Sequence, residues 1–323
     1  MNLIMGDCLE KMRNIPDSSV DLIICDPPYG VSKCAWDSVL DLNLLWDQYK
    51  RILKPFGTCI IFGTEPFMAQ VISSNFDDYA YQWYWEKNNK TGALLAHWQP
   101  MRCIEEMAVF ICNAKGNAGQ HEALRDYMQR EKEASGLTRK QIDELLGNSM
   151  SSHYFTNGEQ FALPSQKDYE ALQATGRFQR PLEDLKKEWK SESGQYKPTY
   201  NPQGVVDLTK PRYKKESGSG HNVYANVSAK THKQTKTGYP CNILRIQREK
   251  NIVHPTQKPI ELLRYLIRTY TNRGGIVLDN CMGSGSTGVA AVLEDREFIG
   301  IELDEKYFNI AKERIEQAQK ETF

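Results

Sequence analysis

Four residues, Asp26-Pro27-Pro28-Tyr29, stand directly behind the apolar run Val20-Asp21-Leu22-Ile23-Ile24-Cys25. The run reads as a buried strand, and open α/β sheets place their ligands at the carboxyl ends of strands. Two successive prolines make a rigid turn and withhold backbone donors, which leaves the Pro27 carbonyl free to accept. Asp26 supplies a second acceptor and Tyr29 an aromatic face. Two acceptors beside a stacking ring suit an extruded nucleobase that bears an amino group. The same four residues also fit a plain strand-terminating turn with a core tyrosine.

A second constellation runs Asp279-Asn280-Cys281-Met282-Gly283-Ser284-Gly285-Ser286-Thr287-Gly288, between a strand pattern (Gly275 to Asp279) and a helix. Its glycines let backbone approach a ligand closely, and the helix N-terminus favours anionic groups. Taken alone it equally describes a tight turn with no ligand. Glu302, about 20 residues on, ends the next apolar run, where nucleotide-binding doubly wound folds place an acid on ribose hydroxyls. No lysine lies in or directly after the loop. The expected ligand is therefore a nucleoside without a polyphosphate, which S-adenosylmethionine is.

With both constellations present, the chain resembles the DNA amino-methyltransferases, in the group whose catalytic motif precedes its cofactor motif. Gly6-Asp7, Phe62-Gly63-Thr64-Glu65-Pro66-Phe67, Trp85-Glu86-Lys87, His254-Pro255-Thr256-Gln257-Lys258-Pro259 and Gly300-Ile301-Glu302-Leu303-Asp304 carry the resemblance further. It implies a doubly wound, circularly permuted Rossmann-like sheet with an inserted, mainly helical target-recognition domain. It also implies transfer of the methyl of S-adenosylmethionine to N6 of a flipped adenine in duplex DNA. Cytosine N4 is the alternative target, for which the family more often has Ser in place of Asp26.

The resemblance assigns catalysis to Asp26, Pro27, Pro28 and Tyr29. Asp7 and Cys8 meet the cofactor's adenine ring and Glu302 its ribose, while Asp279 with Gly283, Ser284, Gly285, Ser286 and Thr287 holds the methionine moiety. Thr256, Gln257 and Lys258 line the cofactor pocket. One departure is plain: the family usually has Asp-Pro-Phe where this chain has Asp279-Asn280-Cys281. Hydrogen bonds from the base amine to Asp26 and the Pro27 carbonyl favour a tetrahedral nitrogen, so catalysis is positioning plus electrostatics. No covalent intermediate is needed, and the eight cysteines are not nucleophile candidates. An RNA or protein methyltransferase and a non-catalytic DNA-binding regulator are the rival readings.

The elements that must position these residues fall into three zones: 1–118, 119–240 and 241–323. In the first, strands at Val20–Cys25, Thr58–Phe62, Tyr81–Trp85 and Met107–Cys112 alternate with a helix from Asp41 to Leu53. The last repeats the pattern, with helices from Ile260 to Tyr270 and from Tyr307 to Gln317 around the strands ending at Asp279 and Glu302. Strands alternating with helices indicate one α/β sheet, interrupted by the middle zone.

The middle zone opens with helical patterns. Thr138 to Leu146 reads as a capped helix, Gly147 breaks it, and Ser149 caps a second helix through Phe155. This spacing resembles a helix-turn-helix, which places Met150, Ser151, Ser152 and Tyr154 against bases or phosphates. From Ser191 to Tyr239 periodicity fades and Lys, Gly, Ser and Thr dominate, as in loops. Arg177 to Lys250 holds about 16 basic against about seven acidic residues. Lys210, Arg212, Lys214 and Lys215 there read as a phosphate clamp or as a solvated loop. Trp36, Trp46, Trp83, Trp85 and Trp98 read as core or rim packing rather than base-stacking platforms, and His97, His121 and His232 as surface or loop residues.

Whole-chain numbers add limits. A formal net charge of +0 over 323 residues argues against a simple polycation, although one basic third can still dock on phosphate. The cysteines form no C-x-x-C pair and read as buried free thiols, with no metal site. The start lacks a signal-peptide pattern and no apolar run approaches the ~20 residues of a membrane span. The expectation is a cytoplasmic protein with double-stranded DNA as partner, a homodimer and a cognate restriction endonuclease being left open.

Overall fold

The computed structural model describes residues 1–29, 40–112, 121–156, 161–195, 198–215, 231–249, 253 and 257–322. Eight strands form one sheet in the order β1-β10-β9-β2-β3-β5-β4-β8. They are β1 (Asn2–Met5), β2 (Val20–Cys25), β3 (Leu53–Gly63), β4 (Tyr79–Thr91), β5 (Arg102–Ile111), β8 (Ile243–Leu244), β9 (Ile276–Asp279) and β10 (Glu297–Glu302). A separate two-stranded ribbon pairs β6 (Val206–Lys215) with β7 (Thr231–Thr237). The five strands from β1 to β3 run parallel, β5 is antiparallel to both β3 and β4, and the short β8 runs parallel to β4.

Period-two alternation of β2 explains why both faces of the sheet are covered. Leu22 and Ile24 point into one core, with Leu262, Leu266 and Ile267 of α9 (Ile260–Tyr270), Ala290 of α10 (Ser286–Leu293) and Ile315 of α11 (Glu305–Thr322). Ile23 and Cys25 point into the other, with Met12 of α1 (Cys8–Met12), Leu45, Trp46 and Tyr49 of α2 (Leu42–Ile52), and Val71 of α3 (Phe67–Ser74). Helix α2 shows how the sequence sets an element. The Asp41 side chain caps it by accepting from the Asn43 and Leu44 amides, and its buried residues recur at helical spacing.

The inserted segment makes its own core. Helices α4 (Glu122–Ser135), α5 (Arg139–Leu146), α6 (Ser151–Tyr154), α7 (Gln166–Gln173) and α8 (Leu182–Gln195) enclose Leu124, Met128, Ile142, Phe155, Tyr169 and Leu185. Thr138 and Gln141 form a reciprocal capping box on α5, and Ser165 caps α7, as their spacing predicts. Beyond α8 the structure departs from the expectation of loops, because β6 and β7 pair antiparallel there. Among the described residues no helix is long and apolar enough to cross a membrane.

Candidate active site

Parallel pairing of β2, β9 and β10 brings the ends of three strands to one edge, and with them Asp26, Asp279 and Glu302. A cavity of about 500 Å³ opens there. Of the expected site residues, Asp7, Cys8, Asp26, Pro28, Gln257, Lys258, Asp279, Gly283, Ser284, Ser286, Thr287 and Glu302 line it. Thr256 lies outside the described residues. Met282, Leu303 and Asp304, which lie within the quoted motifs, also line it, as do Leu40, Leu263 and Tyr307, to which the sequence assigned no site role. A more open hollow against β4, lined by Tyr81, Trp83 and Tyr200 among others, contains none of the motif residues.

The Gly-rich turn is built around two acids. Glu302 accepts the Gly283 amide on Oε2 at 2.8 Å and the Asp304 amide on Oε1 at 2.9 Å. Asp279 accepts the Thr287 hydroxyl at 2.6 Å and the Cys281 amide at 3.1 Å. Gly283 and Gly285 take φ of +50° and +78°, which favours glycine at both. Gly285 does not face the cavity. A Cβ there would lie 2.8 Å from that of Ala311, so this glycine lets α11 pack against the turn. On the far side Asp7 caps α1 by accepting the Glu10 amide at 3.0 Å. Where the family has Pro-Phe, Asn280 is buried and accepts the Tyr49 hydroxyl at 2.6 Å, while Cys281 fills space beside Cys8 and Cys25.

The charge of this cavity identifies what it can hold. Among the described residues, Asp7, Asp26, Asp279, Glu302 and Asp304 border it against one lining cation, Lys258. Burial pushes the Asp279 carboxyl up to about 7, a shift its hydrogen bonds to Thr287 and Cys281 only partly offset. A cationic ligand nearby restores its charge, and a polyphosphate would meet repulsion. S-adenosylmethionine, cationic at its sulfonium and amino groups, fits this donor set.

The Asp26 end of the cavity is more connected than its spacing suggested. Asp26 Oδ1 accepts the Tyr29 hydroxyl and its Oδ2 pairs with Lys258 Nζ, each at 2.5 Å. Lys258 also pairs with Glu105 of β5 at 2.8 Å, and Glu105 with Lys87 of β4 at 3.1 Å. The Lys258 ammonium sits 5.1 Å from the centre of the Phe62 ring, and the Tyr29 ring stacks on Phe67 at 5.0 Å. Lys258 therefore lines the expected pocket and also holds the Asp26 carboxylate. Glu105 was missed because it lies mid-strand, 153 residues from Lys258 in sequence.

Burial sets the protonation of this chain of charges, and pairing opposes it. Burial raises the Asp26 carboxyl above the usual carboxylate range, Glu105 adds to that, and Lys258 resists it. Burial also penalises the charged forms of Lys258 and Glu105. Their opposite partners win, leaving the lysine above its usual range and the glutamate below. Such buried chains are held by mutual compensation: removing one member leaves a partner uncompensated.

Of the four residues expected to face bases or phosphates in the inserted segment, two are closed off. Tyr154 is buried, and its hydroxyl donates to Asp168 at 2.6 Å. Ser151 is also buried, with its amide donating to Asp143 at 3.2 Å. Met150, rather than Ser149, occupies the N-cap of α6, which is only four residues long. Ser151 and Tyr154 are thereby spent on the bundle and are not open to bases or phosphates. Ser152 and Met150 do remain exposed. Lys210, Arg212, Lys214 and Lys215 lie on β6 rather than in a loop, and Lys210 and Arg212 are not among the residues that line the cavity. Trp98 does not pack and is 88% exposed, while His121 sits in a turn but is buried, stacked on Trp189 with ring centres 3.7 Å apart. Trp46, Trp83 and Trp85 are buried as expected, and Trp36 lies outside the described residues.

Comparison with known proteins gives this geometry a family. The chain is 25% identical to DNA adenine methyltransferase YhdJ of Escherichia coli (strain K12), over 98% of this chain and 83% of that protein. It is also 25% identical to type II methyltransferase M1.MboII of Moraxella bovis, over 94% of this chain and 92% of the relative. Among solved structures, the M1.HpyAVI–SAM complex superposes with a TM-score of 0.51 at 19% identity, covering 97% of this chain and 98% of the other. The cytosine-N4-specific PvuII DNA methyltransferase superposes with 0.52 at 14% identity, covering 98% and 90%. These two likenesses establish the shared fold. The N6_N4_Mtase family, described as DNA methylase, matches residues 20–313. The match spans Asp26, Glu105, Lys258, Asp279 and Glu302 alike, and the chain belongs to this family of DNA methylases, with S-adenosylmethionine as methyl donor.

Proposed function

We infer that this chain methylates the N6 amino group of adenine in duplex DNA. The observation that carries the reading is that Asp26 borders the same cavity as the Glu302-braced turn. When bound, S-adenosylmethionine supplies an electrophilic methyl group. The protein's part is to present a nitrogen to it. An exocyclic amine is a poor nucleophile because its lone pair is delocalised into the ring. Asp26 keeps lone pairs beyond those taken by Tyr29 and Lys258, and with the Pro27 carbonyl it can accept both amine hydrogens. Tyr29, held by Phe67 and by its bond to Asp26, offers the extruded base a ring. Holding the reactants in place can supply about 7–11 kcal/mol of the barrier.

Asp26 supports adenine over cytosine, since the cytosine-N4 enzymes resembled above more often place Ser there. The E. coli relative, an adenine methyltransferase, agrees with that choice. For DNA contact, β6 and β7 offer exposed Lys210, Arg212, Lys233 and Lys236 on a two-stranded ribbon, a shape the major groove admits. Lys214 and Lys215 continue β6. The test is incubation of the purified protein with labelled S-adenosylmethionine and unmethylated DNA, followed by hydrolysis to nucleosides. N6-methyladenine is expected. N4-methylcytosine would overturn the choice of base, and no labelled nucleoside would overturn the activity.

A further inference from the structure

The ribbon formed by β4 and β5 runs on past the sheet at the edge where Asp26 lies. Cys25 is level with Ile61, Gly63 with Glu106, and Glu106 with Tyr84. From Tyr84 the strand continues to Thr91, which still pairs with Arg102. Because the register shifts between Glu86 and Thr91, β5 sets the reach. From Met107, level with Asp26, to Arg102 is five residues, which at ~3.3 Å per residue carries the base of the tip roughly 16 Å beyond Asp26. The root of the ribbon supplies Lys87 and Glu105, the outer members of the charge chain that ends on Asp26.

The tip has unusual chemistry for an exposed turn. Leu94 is 96% exposed, Leu95 49% and Trp98 88%. They are held out by a run of turns, with Leu95 N donating to Gly92 O at 3.0 Å and Trp98 N to Leu95 O at 2.9 Å. From Asn88 to Cys103 there is no carboxylate, and Lys90 and Arg102 flank the apolar residues. A pair of apolar side chains and an indole, framed by cations, suits a stack of bases between phosphates. A second copy of the chain is a poorer occupant, because a stable dimer contact needs about 1,000 Å² and three side chains offer a fraction of that.

We propose that this tip enters the DNA duplex, with Trp98 and Leu94 packing against the bases beside the position vacated by the extruded base. The inference rests on the DNA methylase reading. Its role is to stabilise the opened duplex while the charge chain at the ribbon's root keeps Asp26 in place. Methylation of a normally paired base then depends on the tip, whereas a base with no partner to leave depends on it little.

The test uses the full-length protein and a short duplex around the base that sequencing of DNA from an expressing host shows to be methylated. That base is presented once in its normal pair and once opposite an abasic unit. The double variant Leu94→Ala, Trp98→Ala touches no core residue. We expect it to methylate the paired duplex at least about tenfold more slowly, the weight of one lost base–aromatic stack, with the abasic duplex within about threefold of wild type. Equal rates on the paired duplex, or equal losses on both duplexes, would overturn the insertion. So would altered sedimentation of the DNA-free variant with its methylation untouched, which would make the tip a contact between copies. A wild-type protein that methylates no DNA would instead overturn the reading on which the proposal stands.

Discussion

The sheet edge and the inserted helical bundle both attracted attention in the sequence through polar residues at suggestive spacing, and the structure treats them oppositely. At the sheet edge Asp26, Asp279 and Glu302 border one cavity, and their hydrogen bonds leave lone pairs over. In the bundle Tyr154 and Asp168 satisfy each other, and Ser151 is sealed beside Asp143. Spacing alone cannot tell the two apart. What separates them is whether the polar atoms are still open to a ligand after the element has packed.

The strongest way to break this contrast is at Asp26. Asp26→Ala should lower the rate of methyl transfer by about a thousandfold or more, because orientation and electrostatics at the amine are lost together. Cofactor affinity, measured by equilibrium dialysis, should stay within about tenfold. Substantial turnover by the folded variant would remove Asp26 from the chemistry.

Lys258 comes next. Lys258→Met should cost about 3–5 kcal/mol of stability, since Asp26 is left buried without its cation and Glu105 keeps only Lys87. The pH profile gives the sharper reading. Burial raises Asp26 and Lys258 resists that rise, so activity falls as pH drops through a pKa already above the usual carboxylate range. Removing the lysine moves this acid limb to still higher pH. Adding Glu105→Gln takes away a like charge and should bring the limb part of the way back. A limb that does not move would mean that Lys258 only fills space.

Within the bundle, Tyr154→Phe should cost about 1–3 kcal/mol, the penalty for leaving Asp168 short of a donor, and urea unfolding would read it. The hydrogen bond from Tyr154 holds the Asp168 carboxyl below its usual range, and burial pushes the tyrosine up to about 12. Stability contributed by that carboxylate is present above its ordinary pKa and lost as pH falls through the depressed one. The variant's deficit should therefore shrink in acid. The methylated sequence should not change. An altered sequence preference at unchanged stability would return the bundle to the role of a reading head.

The smallest effect per residue belongs to the β6–β7 ribbon. Neutralising Lys210, Arg212, Lys233 and Lys236 should weaken binding to every DNA sequence alike and reduce the salt slope by up to about 0.9 per lost phosphate contact. Unchanged slopes would mark these residues as a solvated surface.

Much of the α/β part was legible because burial on both faces leaves a strong trace. β2, β9, β10 and α9 show as apolar runs or helical periods with clear stops, and α9 spans Ile260–Tyr270 as expected. The two ribbons were not legible to the same degree. β4 and β5 were visible only where they cross the sheet, since Glu86 to Thr91 has no packed face to impose alternation. β6 and β7, also outside the main sheet, read as loop. The Lys258–Glu105–Lys87 chain was hidden for another reason: ion pairs across strands have no sequence period. In the bundle the Thr138 capping box was a sound local signal, but the step from it to a recognition helix ignored Tyr154 and Phe155, whose bulk calls for burial.

The pairing of β2 with β9 also dictates when the enzyme can come into being. Val277 and Leu278 are made about 250 residues after their partners Leu22 and Ile23, and β1 waits still longer for β10. During synthesis the bundle can close on its neighbours in sequence, while β2 leaves the ribosome with one edge unmatched. Such distant pairing is slow and exposes apolar strand to other chains. The two acids that brace the Gly-rich turn arrive only at residues 279 and 302. A nascent chain short of residue 302 lacks one of the two acids that brace the turn, so cofactor binding favours the completed sheet over the early steps.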